Sequence, residues 1–242
     1  MSKTQAIEER IIPRIIIQSE KRKHEVKLIS GYDRIIFNED QAAALIKEHF
    51  TDKELDCFND LDQDGKFDLW KFCFLYVHGG VFLRRDLDLQ VHLDKLVAPP
   101  ETLYYDSNFN VSDGFIAMQK NNPVMMDAIN LMCNRVALLD DENAALNVLD
   151  KIPDSSKTDP EKIAQMCIAT EQEIDIKDVA QLKTRMRWWA TGPILLNDVV
   201  YSRVTGKILS CSEYVLPTSL KERIVKQLLK GNIDEVCSPN VE

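Results

Sequence analysis

At 242 residues, with 45% apolar and 29% charged residues, the chain has the composition of one ordinary globular domain, long enough to bury a core. Its net charge of −9, from 39 acids and 30 bases, disfavours nucleic acid and anionic lipid as partners, so an anionic small ligand needs a local basic cluster or a bound cation. Six scattered cysteines with no CxxC pair point to buried reduced thiols rather than disulfides or zinc, and no stretch approaches the length of a membrane span.

In chain order, IIPRIIIQ reads as a buried parallel-type strand, apolar on both faces, with Gln18 and Ser19 at its carboxyl end. VKLISGYDRIIF predicts two short strands around Gly31, and NEDQAAALIKEHF a helix capped by Asn38. A second helix spans about 66–78, with Leu69, Phe72, Cys73, Tyr76 and Val77 on its buried face and Asp68 and Lys71 on a neighbouring one. Gly79 supplies its left-handed C-terminal cap, and Gly80 lets the chain enter the strand Val81–Leu83.

Further strands are expected near TLYYD and GFIAMQ, and a helix after Pro123 with Met126, Ile129, Met132 and Cys133 on one side. The polar, acidic stretch that follows reads as an insertion, so 1–242 forms one domain with a helical insertion at about 123–187. This βα alternation predicts an α/β fold with a mostly parallel sheet.

The strand Val81–Leu83 runs into Arg84-Arg85-Asp86-Leu87-Asp88. In open α/β sheets ligands bind at the carboxyl ends of strands, and two carboxylates at i, i+2 there can reach one Mg²⁺ or Mn²⁺, which takes phosphate oxygens as further ligands. Upstream, Asp60, Asp62, Asp64, Gly65 and Asp68 match the start of a calcium loop, but Lys71 stands where its bidentate Glu belongs. That stretch is expected to be an acidic loop leading into the helix.

The segment KFDLWKFCFLYVHGGVFLRRDLD resembles the signature of glycosyltransferase family 32, the alpha-mannosyltransferase-like enzymes with a DXD sugar-binding motif. IPRIIIQS at 12–19 and TGPILLNDVV at 191–200 are similar to two further segments of that family, in the same order. The resemblance implies a GT-A-like, Rossmann-type fold, a UDP- or GDP-sugar donor, a divalent cation (Mn²⁺ or Mg²⁺), a hydroxyl of a glycan or other acceptor, and retention at the anomeric carbon.

By that resemblance Asp68 and Lys71 contact donor sugar, ribose or phosphate, and Gly79 and Gly80 fall on the family's glycine pair. Gln18 and Ser19 fall where the first strand meets the nucleobase, and Thr191, Gly192 and Pro193 line the donor-sugar pocket with Arg185 or Arg187 at its rim. The family's D-x-D would occupy 84–86, which here reads Arg84-Arg85-Asp86, whereas Asp86-Leu87-Asp88 lies two residues later. Either the loop is shifted by two residues, with Asp86 and Asp88 as metal ligands, or Arg84 replaces the first acid and serves the donor while Asp86 alone keeps its place.

Two other classes compete: a glycoside hydrolase, whose paired carboxylates come from different strands, and a non-catalytic sugar- or nucleotide-binding module derived from a transferase. A soluble, cytoplasmic location is expected, in a bacterium or a large virus.

Overall fold

The computed structural model describes residues 12–19, 29–84, 87–105, 111–140, 190–191, 193–205, 222, 226, 229–235 and 237–239. Its elements run β1 (Ile15–Gln18), β2 (Asp33–Ile36), α1 (Glu39–His49), α2 (Asp52–Asp60), α3 (Gln63–His78), β3 (Gly80–Leu83) and β4 (Leu87–Leu89). They continue with the single turn α4 (Leu93–Leu96), β5 (Glu101–Tyr105), β6 (Val111–Met118), α5 (Pro123–Asp140), α6 (Pro193–Thr205), a 3₁₀ turn at Ile233–Glu235 and β7 (Cys237–Pro239).

Five strands form one sheet in the order β2-β1-β3-β6-β5. β1 is parallel to both β2 and β3, whereas β6 is antiparallel to β3 and to β5, so every strand but β6 points the same way. This is the mixed, mostly parallel sheet with flanking helices that the alternation of elements predicts. The carboxyl ends of β1, β2, β3 and β5 and the amino end of β6 therefore share one edge.

Strand alternation sorts the apolar residues into two cores. Ile17, Phe82, Ile116 and Met118 face a layer built from α1, α2, α3, α5 and α6, and Ile16, Val81, Leu83, Phe115 and Ala117 face β4, α4 and β7. With both faces covered, these strands read as continuous hydrophobic runs.

α3 is the axis of the helical layer. The sequence predicts one buried face; the helix is buried nearly all round, with Trp70, Phe74 and Leu75 joining Leu69, Phe72, Cys73 and Val77. Asp62 caps it by accepting from the Gly65 amide (2.9 Å), so it starts at Gln63, and the stretch expected as an acidic loop is instead the end of α2, a cap and a first helical turn. Short polar side chains at 60–64 favour a helix start as readily as a loop.

Gly79 ends α3 at φ +72, its amide donating to Leu75 O (2.9 Å). A Cβ there would lie 2.8 Å from Lys120 N and 2.9 Å from Met118 O, and one on Gly80 (φ +118) would lie 2.8 Å from Ile15 O. The glycine pair thus lets α3 turn into β3 against the neighbouring strands.

α2 was not anticipated. Its capping box joins Thr51 and Glu54, with Thr51 N donating to Glu54 Oε2 (3.0 Å). The first part of the expected insertion, 123–140, is the single helix α5, which buries Met125, Ala128, Ile129, Met132 and Cys133 in the helical core; residues 141–189 lie outside the described residues. So does the expected strand before Gly31, where Ile29–Tyr32 form a turn. Cys57, Cys73, Cys133 and Cys237 are buried, and a side-chain hydrogen bond with Cys133 together with burial pushes Cys57 well above the usual range, as burial does Cys73. Among the described residues no helix is long and apolar enough to cross a membrane.

Candidate functional site

The carboxyl edge of the sheet gathers polar and charged side chains above an apolar floor. Gln18, the last residue of β1, is 1% exposed; its Nε2 donates to Leu83 O (3.3 Å) across to β3, and its Oε1 is buried without a hydrogen-bond partner. An orphaned buried amide oxygen costs about 1–3 kcal/mol, and such atoms mark places where fold and function compete. Ser19 follows it, exposed.

From α3, Asp68 and Lys71 form an i, i+3 ion pair with Nζ donating to Oδ1 at 2.6 Å. Lys71 is 3% exposed, and its ammonium lies 4.7 Å from the ring centre of Phe82 and 4.9 Å from that of Phe72. With the Phe67 ring also 5.8 Å away, three ring faces and one carboxylate surround this buried cation. Burial raises the Asp68 carboxyl above its ordinary value, the Lys71 charge and hydrogen bond oppose this, and Asp113 and Asp64 add to the rise.

The influence of Asp113 places a second carboxylate close by. Asp113 sits near the amino end of β6 and accepts from Arg84 Nη1 at 3.0 Å. Arg84 also donates its backbone N–H to Gly114 O (2.8 Å), so the β3–β6 ladder runs one residue past Leu83. Two ion pairs thus stand at this edge: Lys71 with Asp68 on α3, and Arg84 after β3 with Asp113 on β6.

The acidic stretch is tied at both ends. Leu87 N donates to Arg84 O (3.2 Å), and Leu87–Leu89 forms β4, which pairs antiparallel with β7. A Cβ on Gly114 would lie 2.5 Å from Leu87 Cδ1, so the leucine side chain packs against the bare glycine backbone. Arg85 and Asp86 lie outside the described residues, and Asp88 is the middle residue of β4.

α6 reaches the same edge. Asn197 Oδ1 accepts from Val111 N (2.6 Å), fixing the start of β6 two residues before Asp113, and Asp198 forms a buried ion pair with Arg135 of α5. Of the triplet ahead of this helix, Thr191 is half-buried, Gly192 is outside the described residues, and Pro193 is the first residue of α6, where a missing N–H costs nothing. Arg185 and Arg187 also lie outside the described residues.

The structure therefore brings together Gln18, Asp68, Lys71 and Arg84, with Asp88 in the strand next to Arg84. It does not bring Gly79 and Gly80 to this edge, since they lie at the amino end of β3. Asp113 and Asn197 are members of the site that sequence reasoning passed over; the signal for Asp113 was a lone acid opening an otherwise apolar strand.

No family model matches the chain, and no curated protein is significantly similar to it. Among solved structures, the ligand-free glycosyltransferase domain of the YGT toxin is similar over 88% of this chain at 13% identity and a TM-score of 0.46. This chain spans 55% of that one. The PaToxG glycosyltransferase is similar over 90% of this chain and 84% of its own, at 13% identity and a TM-score of 0.43. At these values neither likeness bears on activity.

Proposed function

We propose that this chain is a retaining glycosyltransferase that uses a nucleoside-diphosphate sugar and transfers the sugar to a hydroxyl of a glycan or other acceptor. The observation that carries this is the clustering of Gln18, Asp68, Lys71, Arg84 and Asp113 at the carboxyl edge of a mostly parallel sheet, directly before an acidic D-x-D. Each of the three segments that resemble family 32 contributes a residue at this edge: Gln18 from the first, Asp68, Lys71 and Arg84 from the second, and Asn197 from the third.

A divalent cation suits the chemistry of this edge. Asp68 and Asp113 each bring a carboxylate to it, and carboxylate oxygens are the ligands that Mn²⁺ and Mg²⁺ prefer. On the i, i+2 spacing and the resemblance to the family's D-x-D, the protein ligands we assign are Asp86 and Asp88. Bound there, the cation would neutralise the diphosphate leaving group.

The geometry favours the shifted register of the loop. Position 84, where the family has its first acid, is still within the β3–β6 ladder, and its guanidinium is held by Asp113. Asp88 lies in β4, outside the five-stranded sheet, so the i, i+2 pair Asp86 and Asp88 is the one we assign.

In the reaction, the bond from the anomeric carbon to the diphosphate oxygen breaks and one to the acceptor oxygen forms on the same face. The acceptor proton passes to the departing phosphate oxygen, so no separate protein base is required. Asp68, steadied by Lys71, would accept hydrogen bonds from donor hydroxyls, and Gln18 would border the nucleobase; their contribution is positioning.

The test is hydrolysis of a panel of UDP- and GDP-sugars without acceptor, with Mn²⁺ or with chelator. Slow, Mn²⁺-dependent release of free sugar from one donor is expected. Binding without release identifies a non-catalytic module, and cleavage of glycosides without nucleotide identifies a hydrolase.

A further inference from the structure

A diphosphate at this edge needs positive charge close by, because the chain as a whole carries −9. The basic side chains described there differ in what they can offer it. Lys71 is buried against Phe67, Phe72 and Phe82 with its ammonium on Asp68, and Lys66, half-buried on the first turn of α3, is paired with Glu39. Arg84 is 45% exposed and follows the carboxyl end of β3, the place where an α/β sheet meets its ligand.

Both the backbone and the side chain of Arg84 are fixed. Its N–H donates to Gly114 O (2.8 Å) and its Nη1 to Asp113 Oδ1 (3.0 Å), so two successive residues of β6 hold one arginine. Its Cζ lies 3.6 Å from the point that a Cβ on Gly114 would occupy, so the guanidinium rests beside bare backbone. A guanidinium presents five N–H donors in a planar fork, of which the Asp113 bond uses one, and phosphate oxygens are groups that such a fork takes in pairs. Asp113 is 24% exposed, and its charge reaches the Asp68 carboxyl, so the arginine is anchored beside the carboxylate assigned to the donor sugar.

We propose that Arg84 binds the diphosphate of the nucleotide sugar through its guanidinium, and that Asp113 is the positioning residue that aims it. The inference rests on the nucleotide-sugar reading given under Proposed function, but not on the cation, since both groups are charges of the protein itself. A partly exposed ion pair contributes little to stability, so loss of ligand binding and loss of fold separate in the test.

Calorimetry with UDP and with GDP, each in Mn²⁺ and in chelator, compares the wild-type chain with Arg84→Gln, Arg84→Lys, Asp113→Ala and Asp113→Asn, and thermal unfolding of each variant is the control. Arg84→Gln should weaken the nucleotide that binds by about tenfold or more at an unchanged unfolding temperature, as for loss of charge-assisted hydrogen bonds. Arg84→Lys should fall between this and wild type, since an ammonium keeps the charge without the fork. Asp113→Asn keeps an acceptor for Nη1 and removes a negative charge beside the phosphates, so it should bind the nucleotide at least as tightly as wild type. Asp113→Ala removes the same charge but leaves the guanidinium unaimed, and should bind about threefold or more weakly than Asp113→Asn. Wild-type affinity in Arg84→Gln, or a loss that only follows a lowered unfolding temperature, overturns the role of Arg84 and leaves the nucleotide reading standing. Equal affinity in Asp113→Ala and Asp113→Asn overturns the role of Asp113. Equal wild-type affinity in Mn²⁺ and in chelator overturns the cation alone, whereas no binding of either nucleotide by the wild-type chain overturns the nucleotide reading and this inference with it.

Discussion

Replacing Lys71 by Met removes an ammonium that is 3% exposed and leaves Asp68, 21% exposed, without its partner at 2.6 Å. Breaking a buried ion pair by removing one member costs about 3–5 kcal/mol, because the other charge is stranded. Water reaches part of the Asp68 carboxylate, and a thioether still packs well against Phe72 and Phe82, so the expected loss falls at or below the bottom of that range, about 2–3 kcal/mol at pH 7.

The pH dependence fixes the mechanism. Asp68 already titrates above its ordinary value, and Lys71 is the group that holds it down, so Lys71→Met raises it further. A carboxyl raised in the folded state contributes stability that is full below its unfolded value, about 4, and lost as pH rises through the folded one. The Lys71→Met penalty should therefore be largest at pH 7 and shrink towards pH 4, and Lys71→Met with Asp68→Asn should be more stable at pH 7 than Lys71→Met alone. Urea unfolding of the four proteins of this cycle at both pH values measures it. A penalty under about 0.5 kcal/mol at pH 7, or one that does not change with pH, refutes the reasoning.

Asp86→Asn and Asp88→Asn should each abolish Mn²⁺-dependent turnover while Arg84→Ala retains a reduced rate; full activity in Asp86→Asn contradicts the assignment of the site. Gly79→Ala should destabilise by roughly 2–4 kcal/mol, from its left-handed φ and the close Lys120 N and Met118 O, without changing donor affinity in the protein that remains folded. Thermal unfolding and donor titration check it, and altered donor affinity at wild-type stability would return the glycine pair to the site.

What could be read from the sequence follows from the range of the forces involved. α1, α3, β3 and α5 carry their signals locally, in the Asn38 cap, the apolar periodicity of 66–78, the glycine pair and Pro123. α2 escaped because DKELDCFND buries only Glu54, Cys57 and Phe58, too few for a visible apolar stripe, although Thr51 and Glu54 spell a capping box. The β4–β7 pair could not be read, since two three-residue strands far apart in the chain have no pattern to announce their pairing. Asp68 and Lys71 were legible by spacing on one helix, whereas Asp113 joins them only when β6 is laid beside β3.

The central claim, a nucleotide-sugar site whose acids act through a cation, is tested most directly by calorimetric titration of the wild-type chain with UDP and with GDP, each with Mn²⁺ and with chelator. One nucleotide should bind in Mn²⁺ at least about tenfold more tightly than in chelator, because carboxylates and diphosphate repel without a bridging ion and the net charge of −9 offers no compensation. Equal affinity in chelator for the nucleotide that binds, or no binding of either, would contradict the account.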